Sequence, residues 1–290
     1  MRAGTFQGKK RSQTQIAVTA SANAVVDGSA PWFLLNASPD LRLQIEATPK
    51  LHPRKAGRDS PIEGVIVTSA DIDQIAGLLS LRELQPFRIY CTASIRRILQ
   101  EENSAFGMLN RVAGQASWTE VRPGQSFPLL SVVGGEAGLR CEAFSLAKGY
   151  PVYVSPERAA SLRPEEASVG LMIESQSGAR LAYMPAVPAV DDALLQRMES
   201  ADLLLFDGTF WSDDELIRVQ GQGATAREMG HVPVSGPEGS LGKLAGLRRP
   251  RKVFVHVNNT NPMLDESSAQ YREVRAAGWE IAEDGCHFEL

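Results

Sequence analysis

Short apolar runs rich in branched residues recur along the chain: IAVTA (16–20), WFLLNA (32–37), GVIVTS (64–69), RIYCT (88–92), VGLMIES (169–175), RLAYMP (180–185), DLLLFDGT (202–209) and KVFVHVNNT (252–260). Runs of this length, several of them ending in polar loops, read as strands, some buried on both faces. Helical stretches lie between them at 71–84, 92–102, 190–199 and 267–276, and Ser38, Pro39 and Asp40 make a start for another helix at LRLQIEA. Strands and helices mixed in this order define a layered α/β protein, and two sheets sandwiched between helices accommodate so many strands in one domain. Composition alone does not separate that arrangement from a doubly wound single sheet.

At 290 residues and 43% hydrophobic content the chain can bury one large core, so one compact domain spanning 1–290 is expected. A formal charge of -4 leaves no basic surplus for phosphates, which argues against a nucleic-acid partner. Cys91, Cys141 and Cys286 are widely spaced with no CxxC, so they are expected as small buried apolar residues rather than a disulfide or thiolate zinc framework. The opening residues MRAGTFQGKKRSQTQ are polar and basic where a signal peptide needs an apolar stretch, and no run approaches the roughly 20 apolar residues of a membrane helix. A cytoplasmic protein without a membrane partner is expected.

The segment 147–168, AKGYPVYVSPERAASLRPEEAS, has prolines, charges and weak periodicity, so it reads as a long loop or lid, or else as a surface insertion. GGEAG at 134–138 precedes an apparent strand at 139–146 and fits a hairpin turn better than a phosphate cradle.

Polar side chains placed where strands run out into loops can converge in one crevice. Four strand ends carry such groups. Directly after VIV comes Thr68-Ser69-Ala70-Asp71-Ile72-Asp73-Gln74, whose two carboxylates either share a metal or cap the helix that follows. Asp207 ends LLLF, where a buried carboxylate requires a partner. His231 lies in the glycine-bounded MGHVPVSG, and pairing with an aspartate would orient its ring for proton transfer. His256 interrupts VFVHV and is followed by Asn258, Asn259, Thr260 and Asn261, a cluster suited to metal ligation or substrate contact, or to an asparagine-rich turn around a buried histidine. His52 and His287 are expected on the surface.

The order of these pieces is similar to the progression seen in the metallo-beta-lactamase superfamily, especially its tRNA-processing hydrolase branch. A closer resemblance is to the coenzyme PQQ synthesis protein B family, carried by RSQTQIAV (11–18), LLNASPDLR (34–42), DIDQIAGLLSLRE (71–83), LLFDGTFWSDDELI (204–217), MGHVPVSG (229–236) and VFVHVNNTNPMLDE (253–266). The resemblance implies a metallo-beta-lactamase-like four-layer αββα sandwich and a role in pyrroloquinoline quinone (PQQ) biosynthesis. Members are thought to hydroxylate a tyrosine-derived ring of the peptide-derived precursor with iron and oxygen, and an older proposal gave them a part in transport.

On that resemblance Asp71, Asp73 and His256 are carried over as metal ligands, with Gln74 a weak further ligand, and Fe(II) is the expected ion with Zn as the alternative. Asp207 and His231 are carried over as an acid/base pair, and Asn258, Asn259, Thr260 and Asn261 as contacts to a carboxylated substrate. The expected partner is the small-molecule or peptide-derived PQQ precursor; contacts with other PQQ biosynthesis proteins and a homodimer are left open. The sequence departs from the family pattern in three places. Its N-terminal glycine-rich strand and CxCxxC cluster have no counterpart, so the chain is expected to start just past them, as a truncated form would. The turn that normally ends Asp-His ends in Asp73-Gln74, with Ser69 at another position where a superfamily imidazole is expected. The loop before MGH reads GQGATAREMG and lacks the family's lysine. Two other readings therefore accompany the oxygenase: a metal-free carrier of PQQ or its precursor, and a divergent metallo-hydrolase.

Overall fold

The computed structural model describes residues 6–20, 22–26, 28–56, 59–81 and 85–290. The chain forms two compact units: Ser12–Gly178 is one, and the N-terminal residues through Arg11 together with Ala179–Phe288 form the other.

In the first unit β1 (Ile16–Val18) runs antiparallel to β2 (Trp32–Leu35), and β2, β3 (Ile62–Ile66), β4 (Phe87–Cys91) and β5 (Ala116–Glu120) follow in parallel. A parallel sheet needs helical crossovers that cover it. Here α1 (Ala22–Val26), α2 (Leu41–Ala47), α3 (Ile72–Ile75) and α4 (Ala93–Glu101) lie in the connections. Leu34, Val65, Val67 and Ile89 share one buried core cluster with Leu41, Ile75, Leu78, Ile95 and Leu99 from the helical segments. Three further strands, β6 (Ser126–Leu130), β7 (Glu136–Ser145) and β8 (Val169–Ser175), are antiparallel. Tyr90 of β4 stacks on Phe127 of β6 at 5.6 Å and accepts a hydrogen bond from the Leu130 amide, so the two sets of strands pack face to face. The segment after β7 contains only α5 (Pro156–Ala159) and a single turn at Pro164–Glu166, in keeping with the loop reading of 147–168.

In the second unit β9 (Arg180–Met184), β10 (Leu203–Asp207), β11 (Arg251–Val255) and β12 (Trp279–Ile281) are parallel, in the order β9-β10-β11-β12. The connections contain α6 (Asp192–Glu199), α7 (Glu215–Gln220), α8 (Ser240–Lys243) and α9 (Ala269–Ala276). Trp279 stacks flat on Phe254 at 4.1 Å and meets Phe206 edge-on, which fills the sheet's centre with aromatic surface. Among the described residues no helix is long and apolar enough to cross a membrane.

Most expected elements form, and the differences have local causes. Thr92, Asp191 and Ser268 accept hydrogen bonds from the amides of Ile95, Leu194 and Tyr271, fixing the starts of α4, α6 and α9 one or two residues inside the expected bounds. The helix expected over 71–84 is α-helical only through Ile75 and continues as 3-10 turns over Ala76–Leu81; residues 82–84 lie outside the described residues. Gly77 is pressed against the backbone of Ala37 and Ser38, and a Cβ there would lie 2.2 Å from the Ser38 carbonyl oxygen. The run expected as a strand to 260 ends at Val255, because His256 turns to φ 55. β7 begins at Glu136 and is joined to β6 by a turn in which Gly134 and Gly135 have φ of 98 and 89, which matches the hairpin reading of that glycine-rich stretch. Cys91 and Cys141 are buried, with burial pushing the Cys91 thiol up to about 12, but Cys286 is exposed and departs from the expectation for it. His52 and His287 are exposed.

Candidate active site

The polar centre of the second unit forms where β10 and β11 end. All five residues of β10 are buried, so Asp207 is delivered into the interior at the strand's carboxyl end. Its carboxylate is fully partnered there. Oδ1 accepts from the Thr209 amide at 3.1 Å and the Thr209 hydroxyl at 2.6 Å; Oδ2 accepts from the Val187 amide and from Nδ1 of His231, both at 2.8 Å. Burial drives this carboxyl upward, but the attraction and hydrogen bond of His231, with His256 and Thr209 behind them, hold it below the usual carboxylate range.

Thr209 is the hub. Its Oγ1 also lies 2.8 Å from Nδ1 of His256, 3.1 Å from Nδ1 of His231 and 2.9 Å from the His256 carbonyl oxygen. A hydroxyl has one proton to give, and its 2.6 Å contact with Asp207 is the shortest. With the proton on that bond, His256 Nδ1–H donates to Thr209 and His231 Nδ1–H donates to Asp207. With this proton distribution the Nδ1–H of each ring is held by Asp207 or Thr209. The two rings stack at 5.5 Å between centroids and 19° between planes, and Phe210 meets His231 edge-on. Asp207, His231 and His256 each offer a ligand atom within 4.8 Å of the others.

The loop after β11 is bound to the end of β10. The Asn258 amide donates to the Thr209 carbonyl at 3.0 Å, and the buried Asn261 side chain donates to the Gly208 carbonyl at 3.0 Å while its Oδ1 accepts from the Met263 amide at 3.0 Å. Thr260 donates to Glu215, whose other carboxylate oxygen accepts from the Trp211 amide at 2.5 Å; burial pushes the Glu215 carboxyl up against these bonds. A Cβ on Gly208 would come within 2.9 Å of Phe254 and Met263, so the two strand ends approach as closely as glycine allows. Of the four residues expected to touch substrate, Asn258, Thr260 and Asn261 thus serve this brace, and Asn259 is the exposed one.

The first unit contains the other expected group. Asp71 stands at the start of α3 without a side-chain cap bond; its Oδ2 instead accepts from the Ser69 hydroxyl and the Lys148 ammonium, both at 2.8 Å. Gln74 is buried, accepts through Oε1 from the Asn36 amide and donates through Nε2 to Asp73 Oδ2 at 2.6 Å. Sequence reasoning missed Thr209, Glu215 and Lys148. The signal for Thr209 was a hydroxyl two residues beyond a strand-ending carboxylate, whereas Lys148 lies 77 residues from Asp71 and gave none.

These features define a class. A family model described as "Beta-lactamase superfamily domain" matches residues 31–257, a span containing Asp207, His231 and His256, and the architecture is the metallo-beta-lactamase fold, mixed α/β with two sheets and helices. Coenzyme PQQ synthesis protein B of a Methylorubrum extorquens strain is 40% identical over 288 residues, covering 99% of this chain and 91% of that protein. The protein of that name from Xanthomonas oryzae pv. oryzae is 38% identical over 284 residues, covering 97% and 89%. The crystal structure of Zn(2+)-bound PqqB from Methylobacterium extorquens superimposes with a TM-score of 0.86 at 39% identity, covering 98% of this chain and 89% of that one. The chain belongs to the coenzyme PQQ synthesis protein B family.

Proposed function

We propose that this chain acts in PQQ biosynthesis as an Fe(II)- and O2-dependent hydroxylase of the tyrosine-derived ring of the precursor. The observation that supports this reading is the buried cluster of two imidazoles and one carboxylate with ligand atoms within 4.8 Å of one another. Two imidazoles with a carboxylate are the donor set of non-haem Fe(II) oxygenases, and the span suits bonds of about 2.0–2.2 Å after small adjustment, so the donor chemistry fits a transition-metal ion. His231, His256 and Asp207 would hold it; the relative's structure contains Zn(2+). When bound, Fe(II) supplies the activation of O2 that ring hydroxylation requires.

The chain's own groups set the geometry for that chemistry. Asp207 orients the His231 ring, and Thr209, an outer group of the kind that positions a ligand, orients His256. Asn259 contributes an exposed amide for a carboxylated substrate.

One observation favours a second reading, the metal-free carrier or proton-transfer site. Asp207 accepts four hydrogen bonds from within the chain, so its charge is compensated without an ion. There the Asp207–His231 pair would work as an acid/base couple, with the proton held or moved at His231 Nε2. A ring nitrogen that binds a metal cannot also hold a proton, so the readings are exclusive. Anaerobic loading with Fe(II), desalting and metal analysis separate them. One retained equivalent is expected and, with O2 and an added two-electron reductant, gain of one oxygen by the precursor while the second oxygen leaves as water; tight PQQ binding with no retained iron would select the carrier.

A further inference from the structure

Ser69, Asp71, Asp73 and Gln74 occupy the turn where the resemblance places metal ligands, and each has a side-chain hydrogen bond within the first unit. Asp71 Oδ2 takes two donors, the Ser69 hydroxyl and Lys148 Nζ, and the Asp71 amide returns a bond to Ser69 Oγ at 3.3 Å. The ion pair is sheltered, with side-chain exposures of 13% for Lys148 and 24% for Asp71, so the ammonium is a resident charge and not a passing surface contact. Gln74 spends its oxygen on Asn36 and its nitrogen on Asp73, while Asn36 accepts the Thr68 amide at 2.8 Å. A bound divalent ion would have to displace Lys148 from the carboxylate oxygen that the ammonium contacts, or accept a positive neighbour one hydrogen bond away.

Lys148 enters from the 147–168 segment, and its position is fixed on both sides. Ala147 adopts φ 55, a left-handed conformation disfavoured for alanine, with its amide on Ser145 Oγ at 3.3 Å. Leu146 donates to the Ser168 carbonyl and Val169 to the Thr68 carbonyl, so the two ends of the segment are joined to each other and to the strand end before the turn. Five residues beyond Lys148, the Tyr153 hydroxyl donates to the Ala70 carbonyl, and Val154 packs into the core. Between these anchors Val152 is fully exposed. Burial, with Asp71 adding to it, pushes the Tyr153 phenol up to about 12, so it remains a donor at neutral pH.

We propose that in this chain the Ser69–Gln74 turn is not a metal site: Lys148 supplies its positive charge, and the turn serves as the anchor that straps residues 147–155 in place. This inference stands on the first unit alone and does not rest on the oxygenase reading.

The test is made on the full chain with Zn2+ as the probe, by equilibrium dialysis, and with amide hydrogen exchange as a second readout. Asp71→Asn is expected to leave Zn2+ stoichiometry and affinity within about threefold of the parent, because a ligand or even an outer-shell partner would cost at least about tenfold. Lys148→Met is expected to speed exchange across 147–155 by at least about tenfold, and Lys148→Arg, which keeps the charge, to restore most of the protection. A tenfold or greater loss of Zn2+ affinity in Asp71→Asn would overturn the proposal by making Asp71 a ligand. Unchanged exchange at 147–155 in Lys148→Met would overturn the strap. Loss of iron retention by His256→Ala, by contrast, bears on the second unit only, so the two ideas fail separately.

Discussion

The turn after β3 and the strand ends of β10 and β11 have the same sequence signature, a polar run following a buried parallel strand, yet their chemistry differs. At the β10 and β11 ends, Asp207 and Thr209 bind the Nδ1 edges of two imidazoles, and among the described residues no lysine or arginine donates to Asp207. At the turn after β3, Asp71 Oδ2 is taken by Ser69 and Lys148, and Gln74 by Asn36 and Asp73. The counter-charge decides which outcome a strand end has. A divalent ion about 4 Å from an ammonium meets roughly 8 kcal/mol of repulsion at an effective dielectric near 20, so a lysine within the chain is an effective barrier to metal. Asp207 is instead compensated by neutral donors and an imidazole, which can reorganise around an ion.

The sharpest way to break this contrast is metal affinity in the second unit. His256→Ala is expected to lower Fe(II) or Zn2+ affinity by more than about 100-fold, beyond the usual cost of losing an outer-shell partner, as measured by competition with a chromophoric chelator. An unchanged affinity would place the ion elsewhere and remove the distinction between the two strand ends.

Next in size is the cost of removing the buried carboxylate. Asp207→Asn leaves His231 and two amides facing a group that no longer accepts equally from all of them, and loss of one partner from a buried pair costs about 3–5 kcal/mol. Urea unfolding at neutral pH measures it. The pH dependence has a definite sign. The folded carboxyl is held below its ordinary value, so the unfolded chain takes up the proton first. Its stabilising contribution is therefore complete above the unfolded value of about 3.9 and is lost as pH falls through the lower folded one. The variant should show a flatter acid limb below about pH 4 than the parent; an identical slope would mean that Asp207 is not the ionised partner of His231.

Thr209→Val tests the hub with a smaller effect. The substitution keeps the shape but removes the hydroxyl that orients His256, so an affinity loss of about 10- to 100-fold is expected, with a stability loss of about 1–3 kcal/mol from the hydroxyl bond that Asp207 Oδ1 loses while it keeps the backbone amide of residue 209. A stability loss without any change in metal affinity would reduce Thr209 to a structural bond.

How much of this was legible follows the range of the interactions. LLLFDGT and VFVHV announce buried strands with a polar residue in or beside them, which makes Asp207 and His256 candidates, whereas the parallel pairing that brings the two strand ends together is visible only in the fold. His231 was legible as a candidate because a histidine after a glycine in a short turn has few other uses. Polarity alone marks Asn258, Thr260 and Asn261 as candidates for substrate contact and does not give their partners: the Asn261 amide faces the Gly208 carbonyl, while the Asn258 side chain donates to Thr260 and Thr260 to Glu215. Strands β5, β6 and β12 are not among the expected runs: ASWTE is half exposed, SFPLL is short and broken by a proline, and WEI is only three residues long. Lys148 was invisible for another reason: an ion pair between residues 77 positions apart is a tertiary event, and nothing in either segment's local pattern encodes it.

The smallest effect distinguishes bracing from binding within the asparagine cluster itself. Asn261 is buried and uses both ends of its amide on backbone groups, so Asn261→Ala is expected to cost about 1–3 kcal/mol, measured by urea unfolding, through the orphaned Met263 amide and Gly208 carbonyl. Asn259 is exposed, and Asn259→Ala should stay within about 0.5 kcal/mol of the parent. If Asn259 nonetheless meets the substrate, its alanine variant should raise KM for the precursor several-fold while leaving the unfolding curve unmoved, a split that a bracing residue cannot produce. An equal loss of stability in both variants would make the whole turn structural and leave the substrate contact to residues outside it.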